Sequence, residues 1–114
     1  MENQAQLKSQ TICATVNPGI CGFPCVIAAR RDGVRKLALQ ITGSECRHIQ
    51  RLAEILPEIT LRELFAPLNR NPVFVSAEQA RCHPACPVPV AIVKVAEVAL
   101  ELALPRDVLI KFEI

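Results

Sequence analysis

The chain has 114 residues, a formal net charge of +2 and a composition that is 51% hydrophobic. That length is enough for one domain with its own core, and the balance of charge and apolarity excludes a disordered chain and a strongly basic nucleic-acid binder. Six cysteines stand against four phenylalanines, with no tryptophan or tyrosine, so no aromatic platform for base stacking is expected and thiol chemistry dominates the inventory.

Residues 1–9 are polar and read as a flexible or peripheral lead into a single domain spanning 1–114. They lack the apolar stretch of a secretory signal, which makes a cytoplasmic location the expectation. Thr11 to Val16 alternates side-chain type as a strand does, and Asn17-Pro18-Gly19 closes it with turn formers. Cys25 to Arg30 and Lys36 to Thr42 read as two further strands joined through Asp32-Gly33, a hairpin signal. Arg30, Arg31, Arg35 and Lys36 crowd that turn and read as a solvated tip rather than a phosphate site.

Thr42-Gly43-Ser44-Glu45 has capping-box spacing and predicts a helix running to about Leu56, with Cys46, Ile49, Ala53 and Leu56 on one face. Ile59 to Phe65 reads as a short helix in which Thr60 and Glu63 repeat the same spacing, and Val73 to Val75 as a short strand. Residues 89–104 predict a long helix that is apolar around most of its girth, with Lys94, Glu97 and Glu101 as a narrow polar stripe. Those charges argue against a membrane span; such a helix is either covered on several sides within the monomer or uses part of its surface for association, and the second case predicts a homodimer through it. Val108, Ile110, Phe112 and Ile114 alternate as a final strand. The order predicts an α+β fold, a mainly antiparallel sheet with two principal helices packed on one face.

The chemistry lies in two loops of equal spacing, Cys21-Gly22-Phe23-Pro24-Cys25 and Cys82-His83-Pro84-Ala85-Cys86. Thiolates bind zinc and iron–sulfur clusters, and four complete either kind of site. Cys86 also precedes a helix N-terminus, whose free backbone N–H groups favour an anionic sulfur. Cys21, Cys25, Cys82 and Cys86 are therefore the expected ligands of an iron–sulfur cluster or zinc, with His83 and Cys46 as possible additions. Cys13 reads as a core residue within its strand, and His48 as a polar-face residue without a catalytic role.

Three functional readings compete. The first is a small metal-binding or iron–sulfur protein, the second a thiol-disulfide redox protein using the same pairs. The third is a binding or assembly protein with structural cysteines. Cys82 to Pro87 resembles the last part of a bacterial ferredoxin cluster run, without the preceding cysteines of that run. The CGFPC and CHPACPVP motifs together resemble the small uncharacterised cysteine-rich proteins of anaerobic microbes, a likeness that implies no established activity.

Overall fold

The computed structural model describes residues 10–114; the expectation of a peripheral segment at 1–9 lies outside them. Four strands form one antiparallel sheet in chain order: β1 (Thr11–Val16), β2 (Cys25–Arg31), β3 (Lys36–Thr42) and β4 (Glu58–Thr60). The register sets Thr11 opposite Arg30 and Val16 opposite Cys25, then Val26 opposite Thr42 and Leu37 opposite Ile59. Helices α1 (Arg47–Ile55), α2 (Leu61–Leu64), α3 (Pro72–Gln79) and α4 (Val88–Ala99) complete the α+β fold.

The period-2 alternation of the strands decides which face is covered. Val16, Cys25, Ile27, Ala29, Leu37 and Leu39 point into the core, whereas Thr11, Cys13, Thr15, Val26, Arg30 and Gln40 are exposed. Helix α4 lies across β1 and β2, α1 lies across β3, and α3 packs against both helices. Ile27, Leu37, Leu52, Ile59 and Ile92 are fully buried between these layers. Each contributes about 1.5–3 kcal/mol of hydrophobic stabilisation.

Arg31 ties down the far end of α4, whose buried apolar face docks it on the sheet. Its Nε donates to the carbonyl oxygen of Ala99 at 3.2 Å, and its guanidinium lies 3.7 Å from the Glu101 carboxylate. The C-terminal end of α4 is thereby tied to the end of β2. A twelve-residue helix runs about 18 Å and a seven-residue strand about 23 Å, so α4 returns along β2 and starts above the strand's beginning, where Cys25 stands. Lys36 at the same hairpin pairs with Glu58 at 2.8 Å, so two of the four basic residues at the turn serve the fold.

Several elements differ from the sequence expectation. Residues 103–114 contain no strand and are exposed throughout: β1 pairs with β2 alone among the described residues, and the segment lies on neither sheet edge. Val73–Val75 is helical, because Asn71 accepts the Val73 N–H through Oδ1 at 3.0 Å and Pro72 stands at the first helical position. The Asn71 amide also donates to the carbonyl oxygens of Leu64 and Ala66 at 3.2 and 3.3 Å, which fixes the preceding loop.

The long helix ends at Ala99 instead of Leu104, since Glu101 turns left-handed at φ 62° and the Leu102 N–H closes back on the Glu97 carbonyl. The first helix starts after Cys46, not at Gly43, whose φ of 82° breaks the Thr42 box. Thr60 and Glu63 do form their box, but Glu58–Thr60 ahead of it is a strand paired with β3.

Candidate functional site

Five of the six thiols are delivered to one end of the sheet, on the helix side. Cys25 opens β2 and is 2% exposed. Cys21 closes a single 3-10 turn, Gly19–Cys21, in the loop that joins β1 to β2. That turn is capped by Gly22 at φ 72°, a left-handed position that a β-carbon would strain. Because Val26 pairs with Thr42, the end of β3 lies beside Cys25, and the three residues 43–45 carry the chain directly to Cys46. Cys46 is the N-cap of α1, with its N–H bonded to Ser44 Oγ at 3.1 Å and its own side chain making no capping bond.

The remaining two thiols come from the α3–α4 connection. Helix α3 ends with Arg81 left-handed at φ 62° and the Cys82 N–H bonded to the Ala77 carbonyl at 2.9 Å. This six-to-one closure is the Schellman arrangement, and it turns Cys82 back onto the core. Cys86 follows a tight turn in which its N–H bonds the His83 carbonyl at 3.0 Å. Two histidines hold this connection to α1. His48 Nδ1 donates to the Ala80 carbonyl at 3.1 Å, because a carbonyl can only accept, and the rings of His48 and His83 meet edge to face with centroids 5.7 Å apart.

The thiols bear on one another's protonation. Burial pushes the Cys25 thiol pKa up, and the neighbouring Cys86 and Cys46 push it further. Cys82 is raised to about 11, first by burial and then by Cys86 and Cys46. Cys86 is raised by burial and opposed by the Val88 N–H, which donates to it from the first residue of α4; Cys21 and Cys46 then add to the rise. Cys46 therefore neighbours Cys25, Cys82 and Cys86, whereas Cys21, exposed on its turn, adds to the shift of Cys86 alone. Cys13 stands apart, exposed on the uncovered face of the sheet rather than in the core.

All four thiols singled out from the loop spacing are in this group, with Cys46 joining them. His83 is adjacent but exposed, and His48 acts as a tether. Cys46 was obscured by the apparent helix start at Thr42, which set it within the first turn on a buried stripe instead of at the cap, where its side chain is free. For His48 no sequence signal could reveal a partner thirty-two residues away.

The surroundings pull the sulfurs two ways, since burial disfavours the thiolate and a helix start favours it. The N-terminal ends of α1 and α4 both meet the group; at α4 the Val88 N–H already donates to Cys86, and Pro87 and Pro89 have none to offer. Cys46, Cys82 and Cys86 pack against the apolar core, of which Cys25 is part. Four thiolates around one zinc at about 2.3 Å would stand about 3.8 Å from each other. Among the described residues, no group of three or more His, Cys, Asp or Glu side chains forms a set that could hold a metal ion as placed. No helix among them is long and apolar enough to cross a membrane.

A family model matches residues 12–112, and it describes a family of unknown function (DUF6951). No curated protein and no solved structure matches the chain.

Proposed function

As the chain belongs to this family of unknown function, we propose from its own side chains that it is a small iron–sulfur or metal-binding protein whose centre is held by the converged thiols. The observation that carries this reading is that three separate stretches, the β1–β2 loop with the start of β2, the N-cap of α1, and the α3–α4 connection, bring Cys21, Cys25, Cys46, Cys82 and Cys86 toward one apolar pole. Protonated thiols pack as small apolar side chains, and five of them near one pole also offer a cation a ready set of sulfurs once it displaces their protons. A polynuclear iron–sulfur cluster is favoured over zinc, since it takes cysteine thiolates around a body larger than a single ion.

Thiol-disulfide exchange is the weaker reading. The attacking species in exchange is the thiolate, and burial holds Cys25, Cys82 and Cys86 in the protonated form. The same shift is compatible with metal loading, in which the cation displaces the protons. Anaerobic purification followed by iron, sulfide and zinc analysis and a visible spectrum tests the assignment. Stoichiometric iron and sulfide with thiolate-to-iron absorption is expected. A chain that binds neither iron nor zinc after anaerobic reconstitution, with all six thiols free, would sink the proposal.

A further inference from the structure

Two elements lack a partner among the described residues, and each has the chemistry the other needs. The first is the outer edge of β1. Edge strands are normally blunted by charge, proline or a bulge; Thr11-Ile12-Cys13-Ala14-Thr15-Val16 has no charge and no proline, and its register with β2 is unbroken. The opposite edge, β4, is only three residues long and carries Glu58. The second element is the arm that follows α4. Val108, Leu109, Ile110, Phe112 and Ile114 are all exposed, Phe112 to 86%, and none of residues 107–114 is glycine or proline. That run is rich in strand-forming side chains and alternates Val108, Ile110, Phe112 and Ile114 with Leu109, Lys111 and Glu113.

We propose that residues 107–114 add as a fifth strand to the β1 edge of a second copy of this chain, the two copies exchanging arms reciprocally. The lengths agree: eight residues in extended form cover about 26 Å and the six of β1 about 20 Å, so the arm spans the whole edge. Main-chain pairing satisfies the open N–H and C=O groups of β1, and the apolar side chains leave water. Reciprocal exchange makes the contact isologous, and an isologous contact closes at two, whereas one-way donation would run on head to tail. The family match continues through residue 112, so all but the last two residues of the arm lie within the matched region. The proposal does not depend on what the thiols hold.

Sedimentation of the full chain over a wide range of concentration should show a species of twice the chain mass. A chain ending at Arg106 should sediment as a single copy with an unchanged far-UV circular dichroism spectrum. Should the truncation unfold, the full-length double variant Ile110→Lys/Phe112→Lys provides the same comparison. Hydrogen exchange locates the contact: amides of β1 should exchange roughly tenfold faster or more in the truncated chain while those of β2 and β3 hold their protection. A full-length chain that stays single at every concentration overturns the proposal, whether its arm folds back on its own β1 or awaits a different protein. So does a truncated chain that remains double, or a β1 whose exchange is indifferent to the arm.

Discussion

Nδ1 of His48 donates to the carbonyl oxygen of Ala80 at 3.1 Å, a bond that joins the first turn of α1 to the end of α3. Cys46 lies two residues before one partner and Cys82 two residues after the other, so this bond bears on the distance between two thiols. His48→Ala is expected to lower stability by about 1 kcal/mol, a typical net value for one hydrogen bond, and to reduce metal content. His48→Asn places an amide N–H near the position of Nδ1 and should restore both. Equal thermal midpoints and metal content in all three proteins would show that the bond has no positioning role.

Cys46 neighbours three of the other thiols, and Cys21 acts on Cys86 alone. Cys46→Ser should therefore lose bound iron as fully as Cys25→Ser, whereas Cys21→Ser should retain a substantial share. Cys13→Ser should retain all of it. Metal analysis of the four proteins, purified side by side without oxygen, separates these outcomes; retention in Cys46→Ser with loss in Cys21→Ser would return the fourth ligand to the loop pair.

Arg81 occupies a left-handed conformation at the end of α3 with φ 62°, where a side chain costs about 1–2 kcal/mol relative to glycine. Arg81→Gly should stabilise the protein by about 1 kcal/mol, less whatever the unfolded chain gains in freedom. Thermal unfolding should move up by a few degrees, on the scale of about 4–8 °C per kcal/mol for a domain of this size. Because the Cys82 N–H still closes on Ala77, metal content should not change. A fall in the midpoint would show that the Arg81 side chain contributes more than its backbone strain costs.

In the metal-free chain, the raised thiols make stability fall on the alkaline side. Cys82 moves from 9.0 when unfolded to about 11 when folded, so below pH 9 both states keep the proton and the native preference is fully expressed. Above that the unfolded chain releases its proton first, and stability declines until the folded thiol ionises as well. Thermal midpoints of the metal-free protein should drop between pH 9 and about 11, following the Cys82 shift. The decline should be shallower in Cys82→Ser. Lys36, whose pKa is raised by its bond to Glu58, contributes a slope of the same sign that both proteins share. Identical slopes would remove Cys82 as a source.

The three long strands were legible because Ile27, Ala29, Leu37 and Leu39 alternate with exposed neighbours, and a period of two has one simple explanation. Val73-Phe74-Val75 misled for the opposite reason: three β-favouring residues in a row carry no period, and the deciding signals were Asn71 and Pro72 just ahead of them. The thiol pairs were visible as spacing, but their meeting depends on α4 docking back on β1 and β2, a long-range packing of which the Arg31–Ala99 bond across 68 residues is one part. The final strand was read from a true alternation. What its pattern could not state is that no partner for it exists within the described part of the same chain.

The strand order has a consequence for how this molecule comes to be. Every sheet neighbour is also a chain neighbour, so β1 to β4 can zip up through short loop closures that are entropically cheap and fast. The docking of α4 onto β1 and β2 joins distant parts of the chain and pays a larger closure cost. Folding should therefore run from sheet to cap, with Cys25 solvent-facing on a formed sheet before Cys82 and Cys86 arrive over it. Synthesis imposes the same sequence, because the last two thiols leave the ribosome long after the strands. Any cofactor that needs all these sulfurs must then be inserted late, into a nearly finished protein.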